Sequence, residues 1–161
     1  MAGNKLEILV VDDREENRKA AQVYFESIDG VHVDFAVNYE EGLQKLRQGP
    51  YAIGMFDLEL PKAEGYQPEI LGFELAKEAE RRYIPWLVIT AGIDNHNNLG
   101  EVAFVNYFWE GIVDPTEIRE KTRAPKSDPK SWQEVYEKII REIPNVEEIQ
   151  QARTRYAKYV C

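Results

Sequence analysis

Four short apolar runs, separated by longer amphipathic stretches, constrain the fold of this chain more than any other feature. Leu6–Val11 is an almost unbroken apolar run, as expected of a strand buried on both faces of a parallel sheet. Residues 13–28 carry apolar side chains at Ala20, Val23, Tyr24 and Ile28, a helical spacing that Gly30 stops. Residues 31–37 read as a second strand, and 39–47 as a helix with Leu43 and Leu46 turned inward. A third strand is expected over 51–56 and a third helix over 73–82. A fourth strand, rich in Trp, Leu, Val and Ile, is expected over 85–90. Strands alternating with helices in this way predict a parallel sheet covered by helices on both faces.

Beyond Thr90 the pattern is less regular. Residues 94–98 are polar and turn-like, and 102–109 form an aromatic run too short for periodicity to separate helix from strand. Asp114-Pro115 interrupts it, and 117–124 read as a late edge strand. Residues 129–143 read as a helix, with Asp128 as N-cap and Pro129 suited to its first turn. Trp132, Val135, Tyr136, Ile139 and Ile140 form its apolar face, and Pro144 ends it. Val146, Ile149, Tyr156 and Val160 mark one further amphipathic helix in the tail. The expected organisation is one α/β domain over 1–143 with a helical extension over 144–161.

Composition removes several function classes. The chain has 161 residues, 43% of them hydrophobic, which is enough for one sizeable core and argues against disorder. Acids outnumber bases 29 to 20, and a formal net charge of −9 would repel a nucleic acid duplex. The one cysteine is Cys161, so neither a disulfide framework nor a thiolate metal cluster is expected. No apolar run approaches the ~18 residues of a membrane span, and the N-terminus lacks a signal peptide's apolar stretch. A cytoplasmic location is expected, with neither nucleic acid nor membrane as a partner. His32 and His96 form no catalytic constellation, and a Gly-rich phosphate loop is absent.

The acids fall where such a fold collects ligands. In an open parallel sheet that place is the carboxyl end of the strands. Asp12 and Asp13 follow the first strand and Asp57 follows the third, and crossover geometry commonly makes those two strands neighbours. Three carboxylates in one crevice repel, and a hard cation such as Mg²⁺ resolves the repulsion. The bland alternative is that Asp12 and Asp13 only cap the helix that follows, because acids favour helix N-termini. Asp57 does not fit that alternative: it sits at the lip of a buried strand and is followed by Leu58-Glu59-Leu60-Pro61. Thr90 ends the fourth strand at the same edge, although a strand-terminal Thr is by itself more often structural.

The run Ile8-Leu9-Val10-Val11-Asp12-Asp13, the Met55-Phe56-Asp57 with Pro61 four residues on, and Val88-Ile89-Thr90-Ala91 together resemble the receiver domain of two-component response regulators. Local agreement extends to Asn17-Arg18, Glu41-Gly42-Leu43, Gly72-Phe73-Glu74-Leu75 and Ile84-Pro85. The resemblance implies a doubly wound, five-stranded parallel sheet with helices on both faces, the flavodoxin-like receiver fold. It implies that Asp57 accepts a phosphoryl group from a histidine kinase or phosphotransfer protein, and that the change is read by a downstream protein target. Asp13 and Asp57 would hold Mg²⁺ with the backbone carbonyl of Glu59, and Asp12 would act directly or through water. Thr90 would donate its hydroxyl to a phosphoryl oxygen, and a lysine would complete the site. Such a protein is a switch and not a conventional enzyme, its own chemistry being phosphotransfer onto itself and self-dephosphorylation.

The sequence departs from the family pattern in three places. With Gly72 taken as the glycine after the phosphorylation loop, about seven extra residues follow Pro61; aligning on Gly65 instead leaves Gly72-Phe73-Glu74-Leu75 unexplained. No lysine stands in the usual window past Thr90, so Lys126, just before Ser127-Asp128-Pro129, is the candidate, with Lys121 the runner-up. Arg123 occupies the place of the family's switch aromatic, for which Tyr107 or Phe108 could substitute. The aromatic run Phe104 to Trp109 is either core or an exposed partner or homodimer surface. Two rival readings follow: a pseudo-receiver that binds partners without phosphoryl chemistry, and an aspartyl-nucleophile phosphohydrolase using Glu59 as acid/base. The adjacent Asp12-Asp13 pair fits the second less well.

Overall fold

The computed structural model describes residues 6–49, 51–82, 84–90, 103–107, 117–121 and 125–142. Eight strands and four helices lie within them. The strands are β1 (Leu6–Val11), β2 (Val31–Ala36), β3 (Ile53–Asp57), β4 (Glu59–Pro61), β5 (Pro68–Ile70), β6 (Trp86–Thr90), β7 (Ala103–Tyr107) and β8 (Glu117–Lys121). The helices are α1 (Glu15–Glu26), α2 (Tyr39–Gln48), α3 (Gly72–Arg81) and α4 (Pro129–Glu142). The elements expected within the described residues are present, most of their ends to within two residues.

The main sheet has the order β2-β1-β3-β6-β7-β8. Its first four strands are parallel, and the chain runs from β1 outward to β2, then back across β1 to β3 and β6. That reversal places a switch point between β1 and β3, where the two crossovers leave on opposite faces and open a crevice. Val11 lies opposite Phe56 in the register, so the residues just beyond, Asp12 and Asp57, come level at the carboxyl edge.

Alternation along the strands builds two cores. Ile8 and Val10 face α1 and α4, where Phe25, Trp132, Val135 and Tyr136 pack with Ala20 and Ala21. Leu9 and Val11 face α2 and α3, against Leu46, Leu75, Ala76 and Ala79. Strand residues buried on both faces explain why these runs read as continuously apolar and not as alternating. Within α1 the buried stripe is Asn17, Ala20, Ala21 and Phe25. Val23, expected to face inward, is 63% exposed, because it lies about 200° round the helix from Ala21.

The expectation of a five-stranded, wholly parallel sheet is corrected. The fifth position is held by β7, antiparallel to β6, and β8 continues antiparallel to β7 at the edge. Twelve residues separate β6 from β7, the bare minimum for a parallel crossover. A parallel return needs a crossover of a dozen or more residues, usually carrying a helix, whereas an antiparallel return needs only a loop. The late edge strand expected over 117–124 is β8, and the ambiguous aromatic run contains the strand β7. The helical extension over 144–161 lies outside the described residues, as do Arg123, Phe108 and Trp109.

The extra residues after Pro61 turn back at Gly65, φ +89°, so that β5 pairs antiparallel with β4 in a two-stranded arm. Leu60 anchors the arm in the α2–α3 core, and the Glu40 N–H of α2 donates to the Lys62 carbonyl at 3.0 Å. Gly72 then opens α3. Its N–H and that of Leu71 donate to the Leu58 carbonyl, and a Cβ at this position would lie 2.4 Å from the Asp57 carbonyl oxygen. This close approach explains why glycine stands at 72.

Candidate functional site

Asp12 is 1% exposed at the end of β1, an expensive place for a carboxylate unless donors surround it. Four groups reach it. The Arg14 backbone N–H donates to Oδ1 at 3.0 Å, and the Asn17 amide donates to both carboxylate oxygens at 3.3 Å. The Lys126 ammonium donates to Oδ2 at 3.0 Å, and the Arg18 guanidinium donates to the Asp12 carbonyl at 2.8 Å. Three of these donors lie in the first turns after β1, so residues 14–18 fold back on the acid they follow.

Lys126, the lysine preferred from sequence, joins the acids at this edge. It lies 114 positions from Asp12, in the turn before α4, and is 4% exposed. Its Nζ stands 3.0 Å from Asp12 Oδ2 and 3.0 Å from Asp57 Oδ1, bridging the ends of β1 and β3. Burial alone would lower its ammonium pKa, but Asp12 and Asp57 outweigh this and raise it above the ordinary lysine value. Burial pushes the Asp57 carboxyl up to about 6; Lys126 opposes the rise, while Asp12 and Asp13 add to it. The Asp57 carboxyl is therefore partly protonated near pH 6.

The turn carrying Lys126 is fixed from α4. The Asp128 N–H donates to the Pro125 carbonyl at 2.9 Å, and the Ser131 hydroxyl donates to the same oxygen at 2.6 Å. Asp128 caps the helix through the Lys130 N–H at 2.9 Å, as its sequence position led one to expect. The Trp132 indole N–H donates to the Lys126 carbonyl at 2.8 Å.

Oxygen atoms of Asp12, Asp13 and Asp57 all lie within 4.8 Å of one another. Three carboxylates against one ammonium leave net negative charge. An all-oxygen donor set at this spacing fits a hard divalent ion such as Mg²⁺, and among the described residues the group holds no soft ligand. Asp12 already serves three donors, so Asp13 and Asp57 are the pair better placed to hold such an ion.

The other sequence candidates fall as follows. Glu59 opens β4 opposite Ile70 with its side chain exposed, and that side chain is not part of the acidic cluster. Thr90 closes β6 at the same carboxyl edge, opposite Ala103, and its side chain lies outside what is described. Lys121, the runner-up, ends the edge strand β8 opposite Ala103, and its side chain likewise lies outside what is described. His32 pairs with Glu7 on the surface, away from this cluster. Two supporting residues were not singled out from sequence for these roles: Asn17, a polar residue on the apolar stripe of α1, and Trp132, read only as core.

No family model matches the chain, and no curated protein matches it. The chain aligns with the RcsB response regulator of Salmonella typhimurium at a TM-score of 0.45 and 20% identity, over 56% of this chain and 44% of that one. It aligns with a 4-N formyltransferase from Francisella tularensis at 0.46 and 14%, over 88% and 70%. The chain thus spans less than half of that response regulator. Two proteins of such different description, matched at such scores, leave the site to be read from its own geometry.

Proposed function

We propose that this chain is a receiver-type phosphoacceptor, a switch in two-component signalling with Asp57 as the acceptor. The observation that carries the reading is the position of the Lys126 ammonium, 3.0 Å from both Asp12 and Asp57 at the switch point of a parallel sheet. A buried ammonium there offers positive charge to an oxyanion arriving at Asp57, and burial makes that charge count for more than in water. A carboxylate oxygen of Asp57 would attack the phosphorus of a phosphohistidine or acyl phosphate. The new O–P bond forms as the donor's P–N or P–O bond breaks, and the leaving group keeps the electron pair. Asp13 and Asp57 would hold Mg²⁺, with the Glu59 carbonyl as a further ligand and Asp12 acting on it directly or through water. When bound, Mg²⁺ supplies neutralising charge that lets an anionic nucleophile meet an anionic donor. Asn17 and the Arg14 N–H hold the Asp12 carboxylate beside Lys126. Thr90 would donate to a phosphoryl oxygen, and the donor would be a histidine kinase or phosphotransfer protein. The readout would be altered binding to a protein target.

Intact mass after incubation with Mg²⁺ and acetyl phosphate, beside Asp57→Asn, tests the reading. Gain of one base-labile phosphoryl group in the wild type alone is the expected result. No gain and no Mg²⁺ binding would transfer support to a pseudo-receiver, an interaction module on the same fold.

A further inference from the structure

Asp12 and Asp57 inherit their positions from the register of β1 and β3, but Lys126 belongs to no strand and reaches the site from a turn. Something outside the sheet must aim it. We infer that Trp132 is the positioning residue for Lys126, acting through the hydrogen bond from its indole N–H to the Lys126 carbonyl. The turn is closed by the Asp128 N–H on the Pro125 carbonyl, and the Lys126 carbonyl is instead engaged from the side by the indole at 2.8 Å. That bond sets the peptide plane from which the Lys126 side chain departs. The indole is itself held: Trp132 is 2% exposed and meets Phe25 edge-on, with ring centroids 6.5 Å apart, in the α1–α4 core. A buried indole N–H requires an acceptor, so a position that only filled space would be as well served by a hydrocarbon ring. The tryptophan thereby ties the placement of the site lysine to the packing of α4 on α1.

The consequence for phosphotransfer rests on the receiver reading, so the test has one readout that does not. Trp132→Phe removes the donor. Replacement of Trp132 by 3-benzothienylalanine removes the N–H while keeping the ring's size, and it decides the matter if the phenylalanine variant does not fold. Lysine reactivity is measured with trace acetic anhydride and mass spectrometry, with Lys45, bonded to Asp34 on the other face of the sheet, as internal reference. Acetylation of Lys126 is expected to rise about tenfold while that of Lys45 stays constant, the result of one lost buried hydrogen bond. Phosphorylation by acetyl phosphate should slow by a similar factor with Mg²⁺ affinity unchanged. If Lys126 reactivity is unchanged in a folded variant, or if Lys45 rises equally, Trp132 only packs and the inference is overturned. Raised Lys126 reactivity in a protein whose wild type takes no phosphoryl group would sustain the positioning role and sink the phosphoacceptor reading.

Discussion

Asp12 and Asp57 arrive at the site from the ends of buried parallel strands, whereas Lys126 arrives from a turn closed by a backbone hydrogen bond at Pro125 and steadied by side chains of α4. The first pair is placed by backbone ladders and two apolar faces, which leave a strand end little freedom once the register is set. The lysine has no ladder. Its position depends on Ser131, Trp132 and Asp128, on the two carboxylates it meets, and on α4 docking correctly against α1. A site assembled from one rigid half and one half carried on a turn should fail differently when each half is disturbed.

The largest effect is expected on the strand side. Gly72→Ala puts a methyl group 2.4 Å from the Asp57 carbonyl oxygen and 2.9 Å from the Leu58 Cα, both backbone atoms that cannot turn aside. The cost should be about 3 kcal/mol in urea unfolding, net of the small gain in helix propensity, because backbone must shift to admit it. An unchanged midpoint would mean that α3 slides freely against the strand end, contrary to a rigid half.

Asp57→Asn probes the junction of the two halves and carries a pH signature. The folded carboxyl titrates at about 6, above its ordinary value, so the native state binds more protons than the unfolded chain between those values. Asp57 therefore contributes most to stability below the unfolded pKa, and that contribution is lost as pH rises through about 6. Asparagine does not titrate, so the variant should be more stable than wild type by about 2 kcal/mol at pH 8, the gain shrinking toward pH 4. Adding Mg²⁺ should narrow the gap at pH 8 by stabilising only the wild type's folded state. Thermal melts at the two pH values read this directly, and a constant difference across pH would contradict the burial of Asp57.

The smallest effect is expected on the turn side. Ser131→Ala removes the hydroxyl that donates to the Pro125 carbonyl at 2.6 Å. The loss should be about 1 kcal/mol by chemical denaturation, with raised hydrogen exchange confined to 125–128. Exchange spreading into β1 or β3 would show that the turn and the strands are one cooperative unit, and the distinction drawn above would dissolve.

Legibility in the sequence follows the same divide. The parallel strands were readable because residues buried on both faces leave continuous apolar runs, and the acids were readable because they sit next to those runs. The Asp128 cap and the start of α4 were readable from side chains within two positions of each other. Val23 misled because apolar identity was counted without its angle on the helix. The arm β4–β5 was visible as extra length but not as strands, since three-residue strands are too short to show a period.

What the sequence by itself determined, then, is a four-stranded parallel core with helices on both faces and Asp12, Asp13 and Asp57 at its carboxyl edge. These are consequences of local periodicity and of residues adjacent to it. Tertiary structure alone decided that the sheet ends in antiparallel β7 and β8. Lys126 was the lysine preferred from sequence, but tertiary structure alone brings it against Asp12 and Asp57 and makes the Trp132 indole hold its turn. Lys126 and Asp12 lie 114 positions apart and meet only through the docking of α4, and neither a strand's direction nor a helix's docking leaves a period in the residues themselves.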